Sequence, residues 1–429
     1  MRTRLFMNKL IIAFLAVLFF TTCKKEITNI DSFSSFGRVY PMKGNQNIAG
    51  AIKTADDGYL LWGNTDAGEH GKQDGFLMRL DKDYKQLWYK TYGGFSNDYI
   101  ESATFDEQGN ILAGGSSTSF GVSIDSNSAI ANPCIYAVYV TGNGELLWQK
   151  TYYGNPYAIN PALPNYSNAL NKVLVLPNQN FALVGTTSNY LRNWGGNDYY
   201  TPNAFVQCIN NMGDTLWHSH YNYFDTISPL PNFNILYWGS NALVSPDGKI
   251  QMLMLTTEGG ADYFPLSLVK ISPNSESGYN KCISRKPLVN FNHILFFQEF
   301  STRKFCPMQL VDNGQENYII VDQGEMLFCK ADGTIIKRAT ISEDYLIHDM
   351  FYKDGLVYFV SNHDIIKTDL NGKILWKSDT YSNTQIDKVK GIFIQKDNSI
   401  SVFCSYQNAL NEKDIALLRL TENGQLIFK

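Results

Sequence analysis

One unit of sequence recurs seven times along this 429-residue chain, and that recurrence constrains the fold more than any other feature. The clearest copy reads IKTADDGYLLWGNT from Ile52, then DGFLMRLDKDYKQLWYKTYGG from Asp74 to Gly94. The next reads SATFDEQGNILAGGSS from Ser102, then CIYAVYVTGNGELLWQKTYYG from Cys134 to Gly154. The third is VLVLPNQNFALVGTTS from Val173, followed by AFVQCINNMGDTLWHSHY from Ala204 to Tyr221. More worn copies begin at Ala242, Met308, His348 and Gly391, and their second halves at Pro265, Gly324, Asp364 and Asp414.

Each unit reads as strand, tight turn, strand, loop, strand, Gly-bearing turn, strand. Asp57-Gly58, Asp247-Gly248, Asp332-Gly333, Asp354-Gly355 and Asn371-Gly372 separate alternating apolar runs, which is the sequence form of a β-hairpin. Aromatic residues make up 14% of the chain, a content that suits pleated, half-buried surfaces. Four antiparallel strands repeated seven times predict an all-β fold, a single β-propeller of seven four-stranded blades. A solenoid needs a shorter unit, and a sandwich does not repeat its turns in this way. The last unit stops soon after its third strand, while Phe36-Gly37-Arg38-Val39-Tyr40 precedes the first unit and aligns with the Trp-x-Lys-x-Tyr strand of the others. This N-terminal strand is therefore expected to complete the last blade and close the ring, removing an exposed sheet edge.

Ahead of the repeats, Arg2, Arg4 and Lys9 form a basic flank to the apolar run from Leu10 to Phe20, which ends in Thr21-Thr22-Cys23. A short apolar segment with basic flanking reads as a secretory signal and not as part of the fold. The Cys at its end resembles the lipobox of bacterial lipoproteins, with Thr22 departing from the usual small residue and Phe20 from the usual Leu. The following Lys24-Lys25-Glu26 resembles the start of Bacteroidota-type lipoproteins, many of them surface-exposed. The resemblance implies acylation of Cys23 and a membrane tether through buried acyl carbons. The alternative is a plain membrane anchor or a signal peptide with an incidental Cys. The expected organisation is a signal over residues 1–22, a linker over 23–34 and the propeller over 35–429. The expected location is the outer membrane, on its periplasmic or its cell-surface side.

Trp88, Trp148, Trp217 and Trp376 follow the Gly-bearing turns in Leu-Trp contexts. This resembles the repeat of quinoprotein-type propellers, in which such a Trp docks between blades. W-x-K-T-Y-G-G followed by a D-Y strand is also similar to repeats of Bacteroidota-type surface and secreted propellers. The resemblance implies fold; seven units do not match the eight-bladed quinone dehydrogenases, and no quinone-site residues transfer. These four Trp are read as blade packing positions.

Other features carry less chemistry. His218 and His220 would share one face of a strand, the beginning of a metal site, but no third ligand of matching spacing follows, and an exposed outer strand is expected instead. Asp56-Asp57, Asp81, Asp83 and Asp106-Glu107 fall in turns, where carboxylates bond local backbone. Cys134, Cys208, Cys329 and Cys404 lie in apolar strand patterns and are expected to be small buried side chains. Cys282 with Cys306 is the one pairing to test for a disulfide. G-x-S-x-G, P-loop, H-E-x-x-H and EF-hand patterns are all missing, so no catalytic, metal or cofactor site is expected. A formal net charge of −4 argues against nucleic acid as a partner.

The unrepeated loops of the second and third units carry most of the functional promise. Tyr153, Tyr157 and Tyr166 lie in the insertion after the second unit; Tyr190, Trp194, Tyr199, Tyr200 and Tyr223 follow in the third. Tyr and Trp interspersed with Asn and Gly make rigid amphipathic surfaces for sugars or proteins. The bland reading is that these rings pack the insertions onto the propeller. The leading expectation is a monomeric, non-catalytic lipoprotein that binds a protein or glycan through one loop face. Alternatives are an enzyme acting on a polymer at the channel mouth, and an envelope-assembly scaffold.

Overall fold

The computed structural model describes residues 37–427, apart from 69–71, 121–132, 153–167, 195–196, 222–236, 257–265, 273–281, 290–306, 312–316, 323, 342–346, 362–363 and 379–385. Among these residues the chain forms 28 strands arranged as seven four-stranded antiparallel sheets, a seven-bladed β-propeller without helices. Blade 1 runs β2 (Gln46–Lys53), β3 (Tyr59–Thr65), β4 (Asp74–Leu80) and β5 (Gln86–Tyr92). Blade 2 follows with β6 (Asp98–Phe105), β7 (Ile111–Ser117), β8 (Cys134–Val140) and β9 (Leu146–Tyr152). Blade 3 is β10 (Ala169–Val175), β11 (Phe181–Trp194), β12 (Asn197–Ile209) and β13 (Thr215–Tyr221). Blades 4, 5 and 6 take strands β14–β17, β18–β21 and β22–β25, from Tyr237 to Val289, Met308 to Thr340 and Ile347 to Ser378.

Blade 7 contains β26 (Ile386–Ile394), β27 (Ile400–Gln407) and β28 (Lys413–Leu420), and its fourth strand is β1 (Gly37–Tyr40). Gly37 pairs with Leu418 and Tyr40 with Ile415, so the N-terminal strand closes the ring as the sequence predicts. Pairing the first strand with the last removes the open edge that β28 would present.

The core lies between blades. Leu60 and Leu77 of blade 1 pack against Ile100, Ile111 and Tyr136 of blade 2, all buried. Across the closure, Tyr59, Leu61 and Phe76 meet Phe403, Ile415 and Leu417. Because both faces of every blade are covered, the third strands lose the usual in–out alternation: β4 and β8 are buried along their whole length. Each fully buried Val, Leu, Ile, Phe or Met among them contributes about 1.5–3 kcal/mol relative to exposure. The four buried cysteines are part of this packing and are free thiols, as expected from their apolar settings. Burial pushes the Cys208, Cys329 and Cys404 thiols up to about 12, which keeps them protonated and unreactive.

In a four-stranded antiparallel blade, the turns between strands 1–2 and 3–4 share one end. The 2–3 and blade-to-blade connections share the other. Tight turns such as 54–58, 81–85, 106–110, 141–145 and 210–214 stand at the first end. The long connections 118–133, 153–168, 222–236 and 290–307 all leave from the second.

Candidate functional site

The candidate face is the end of blades 2 and 3 from which their long connections leave. Its backbone centre is the hairpin of β11 and β12, which stay paired from Phe181–Ile209 out to Trp194–Asn197, well beyond their seven-residue counterparts in blades 1 and 2. Tyr190 pairs with Tyr200 and Arg192 with Tyr199, with one extra residue, Leu191, making a bulge. The sequence reading of Tyr190, Trp194, Tyr199 and Tyr200 as loop residues is corrected here: their backbone is strand. Only Gly195 and Gly196 separate the paired ends, and Gly-Gly is a favoured two-residue hairpin turn. That dipeptide was the available signal; the surrounding Asn, Ser and Asp, which favour turns, obscured it. Tyr153, Tyr157, Tyr166 and Tyr223 lie outside the described residues, as do Cys23 and Cys306.

The repeated Trp residues occupy a different place. Trp88 donates its indole N–H to the carbonyl of Gly142 at 3.1 Å, Trp148 to Asn211 at 2.8 Å and Trp376 to Glu422 at 2.9 Å. Each acceptor lies in the 3–4 turn of the next blade. Two further residues of the same strand finish the joint. Lys90 pairs with Glu145, and Lys150 with Asp214 at 2.8 Å. The Tyr92 and Tyr152 hydroxyls donate to Gly144 and Gly213 at 2.8 Å each. Gly213 adopts φ 78° with the Trp148 ring 3.1 Å from where a Cβ would stand, so both conformation and space call for glycine. The spacing Trp-x-Lys-x-Tyr is thus a three-point clasp: period-two alternation puts all three side chains on the face that meets the next blade. Trp217 is buried in blade 3 among Cys208, Tyr221 and Ile271.

Several expected features resolve into structure. Asp81 accepts the Asp83 and Lys85 amides at 2.9 and 2.8 Å, and Asp106 accepts the Asn110 amide at 2.8 Å, so these turn carboxylates hold backbone. Asp56 does more: it receives both Oδ contacts from Arg79 at 2.6 and 2.7 Å, and the Thr54 hydroxyl, then Arg79, hold its pKa down to about 2. His218 and His220 do share a face, with ring centroids 5.7 Å apart, but both are half-buried instead of exposed. Burial, and then the neighbouring His218, lowers the His220 pKa to about 4. Among the described residues no three His, Cys, Asp or Glu side chains are arranged to hold a metal.

Sequence reasoning missed two buried carboxylates between blades 1 and 2, on the candidate face. Asp74 and Asp98 open β4 and β6 and are 1% and 0% exposed. The Asp98 carboxylate accepts the Gly94 amide at 2.7 Å and the Ser119 hydroxyl at 2.6 Å. A Cβ on Gly93 would stand 2.3 Å from an Asp74 oxygen and 2.8 Å from an Asp98 oxygen, which explains the Gly-Gly after the Trp strand. At the equivalent closure position, Asp414 accepts the Met42 amide at 3.0 Å and Gln46 takes the place of Asp98. The Asp of the repeated D-Y strand was the sequence signal.

No family model and no curated protein matches the chain. Among solved structures it is similar to a protein of unknown function from Bacteroides caccae, at 9% identity and TM-score 0.37, covering 86% of this chain and 92% of that one. It is also similar to a catalytically inactive virginiamycin B lyase from Staphylococcus aureus with quinupristin, at 12% identity and TM-score 0.48, covering 89% and 97%. A streptogramin B lyase gives 12% identity and TM-score 0.44, covering 90% and 96%. Likeness at this level transfers no activity, and the seven-bladed fold of this chain stands on its own strand order.

Proposed function

We propose that this protein is a non-catalytic, lipid-anchored binding scaffold that contacts a protein or glycan through the insertion-bearing end of blades 2 and 3. The observation that carries the reading is the extended β11–β12 hairpin. It brings Tyr190, Trp194, Tyr199 and Tyr200, with Arg192, Asn193, Asn197 and Asp198, onto one two-stranded arm. The connections containing Tyr153, Tyr157, Tyr166 and Tyr223 are joined to strand ends on the same side of the ring. Aromatic rings presented by strands bind at a lower ordering cost than rings on a free loop.

The ring also has a polarity that suits an anchor. Gly37 lies opposite Leu418, next to the last 3–4 turn, so the chain reaches the ring at the tight-turn end, opposite the insertions. Leu87, Leu147, Leu216, Ile336 and Leu375 are exposed near the same end, one on the outer strand of each of five blades. A protein acylated at Cys23 would rest this end toward the outer membrane and turn the insertions toward partners. Acylation, outer-membrane residence and a monomeric state are parts of the proposal.

The test replaces residues 188–202 with an Asn-Gly turn joining Thr187 to Asn203. The intact protein is expected to retain a partner in pull-downs or on a glycan array, and the shortened protein to lose it with its thermal midpoint unchanged. Undiminished binding by the shortened protein would overturn the reading, as would an intact protein that captures neither class.

A further inference from the structure

At the opposite end of the ring, where blade 7 meets blade 1, lies a cleft of about 710 Å³ lined by Arg38, Lys53, Lys82, Tyr84, Lys396 and Arg419, with Asp57, Asp83 and Asp397. We propose that this cleft binds a phosphate or sulfate group between the guanidiniums of Arg38 and Arg419. The site is separate from the insertion face and does not depend on the function proposed for it.

Which charges in the cleft are already matched decides what it can take. Asp57 is held by Lys53 and Lys396, both at 3.0 Å, and Asp83 by Lys82 at 2.9 Å. Asp397 accepts the amide and hydroxyl of Ser399 at 3.0 and 2.6 Å. Neither guanidinium is ion-paired at such a distance, although Arg419 lies near enough to Asp397 for its charge, after the Ser399 hydrogen bonds, to help lower that carboxyl's pKa. Arg38 donates from Nη1 to the carbonyls of Asp83 at 3.2 Å and Tyr84 at 2.8 Å and also lies beside the Tyr40 hydroxyl, with no carboxylate in ion-pair contact. Arg419 stacks over the Tyr84 ring at 5.7 Å, reaches the Ser399 hydroxyl at 3.4 Å, and has a buried Nε without an acceptor among the described residues.

The repeat supplies its own control. Arg79 occupies in β4 the position that Arg419 occupies in β28, five residues after Asp74 and Asp414 by the shared pattern D-x-x-x-x-R-L. Arg79 is satisfied by both oxygens of Asp56 in its own 1–2 turn. The corresponding acid in blade 7 is Asp397, one residue before the left-handed Asn398 as Asp56 is before Asp57. Asp397 bonds Ser399 instead and meets Arg419 only through its charge, which leaves the Arg419 fork unbonded by a carboxylate at the cleft. Packing does not require this arrangement, because blade 1 shows the paired alternative. A planar fork beside a second guanidinium suits tetrahedral oxyanions, which accept two parallel N–H bonds.

The floor is preorganised. Tyr84 stacks on Tyr59 at 5.3 Å, its hydroxyl lies 2.7 Å from the Ser401 hydroxyl, and Gln395 donates to both Ser401 and Tyr59 at 3.0 and 2.9 Å. The cleft also borders Gly37, where the chain reaches the ring, so the oxyanion can come from a free phosphate ester or from a lipid headgroup.

Calorimetric titration of the full chain in neutral detergent at low ionic strength tests the site, with inorganic phosphate, inorganic sulfate and sn-glycerol 3-phosphate as probes. Saturable binding is expected, weakened about tenfold or more by Arg419→Gln, the loss of one charged hydrogen-bond donor. Arg419→Lys keeps the charge but not the fork and should weaken binding several-fold, so it reads the site even if the Gln variant folds poorly. Lys396→Gln removes a cation already committed to Asp57 and should change binding less than about twofold. Glycerol 3-phosphate binding without binding to vesicles containing phosphatidic acid points to a free ester, binding to the vesicles points to a headgroup, and either supports the site. Absence of saturable binding by all three probes would overturn it. So would equal losses for Lys396→Gln and Arg419→Gln, which would mean a diffuse basic surface.

Discussion

The junctions from blade 1 to blade 2 and from blade 2 to blade 3 are fastened by the same three side chains at the same spacing. The seam from blade 7 to blade 1 keeps two of those positions and changes the turn they meet. At the sealed junctions, Trp, Lys and Tyr close over a glycine turn. At the seam, Arg38 stands in the Lys position and Tyr40 in the Tyr position, but the turn carries Tyr84 at φ 63° where the others carry Gly144 and Gly213. Tyr84 sends its ring inward onto Tyr59, and a cleft opens where the others are closed. The lesson is that one repeat position is stabilising or ligand-facing according to the turn it meets. The clasp residue alone does not decide it.

Removing the strand that makes the seam gives the largest expected effect. A chain beginning at Pro41 loses the four-residue ladder of β1, the buried Tyr40 and both Arg38 contacts. Loss of a buried aromatic alone costs about 3–5 kcal/mol. A total of at least about 5 kcal/mol would take a large share of a domain's usual stability. The freed edge of β28 should also pair between chains. Urea denaturation and size-exclusion chromatography read both effects. A monomer with an unchanged midpoint would show that the seam contributes nothing.

A smaller effect separates blade 3 from its neighbours. Where blades 1 and 2 place Tyr89-Lys90-Thr91-Tyr92 and Gln149-Lys150-Thr151-Tyr152 after the Trp, blade 3 places His218-Ser219-His220-Tyr221. Burial keeps His220 neutral in the fold, with a pKa of about 4 against an ordinary 6.5. The unfolded chain therefore takes up a proton first as the pH falls. The contribution is complete above about pH 6.5 and is lost progressively toward pH 4, on the order of 2–3 kcal/mol. Denaturation midpoints at pH 7.5, 6, 5 and 4 should fall across this window and flatten with His220→Gln. Asp56, with its pKa held near 2, loses its stabilising contribution only at lower pH. An unchanged slope in His220→Gln would remove His220 as the cause.

The repeat made the ring, its blade count and its closing strand legible, because a four-residue clasp strand aligned with the others by its Arg38 and Tyr40. The partners of that clasp were not legible: Gly142 and Trp88 are 54 residues apart, and only the ring brings them together. The β11–β12 arm was hidden by polar composition, since Asn, Ser and Asp favour turns wherever no tertiary pairing overrides them. Arg419 is the clearest case. In sequence it is indistinguishable from Arg79, and only the rotation of Asp397 toward Ser399 separates a structural ion pair from a cleft-facing guanidinium. A repeat announces shared backbone, not shared side-chain partners.

The smallest effect probes the same comparison one atom at a time. Tyr152 gives its hydroxyl to Gly213 at 2.8 Å, and Tyr152→Phe should cost about 1 kcal/mol, the usual net value of such a bond. Tyr40 makes the equivalent bond to Tyr84 at 2.8 Å, but that carbonyl also accepts Arg38 at 2.8 Å. Tyr40→Phe therefore leaves the acceptor partnered and should cost less, about 0.5 kcal/mol. Adding Arg38→Gln to Tyr40→Phe strips the carbonyl of both donors, so the pair should cost more than the sum of the single changes. Urea midpoints of the four variants decide it. If Tyr40→Phe costs as much as Tyr152→Phe and the double variant is additive, the two donors act independently, and the seam is fastened no differently from the sealed junctions.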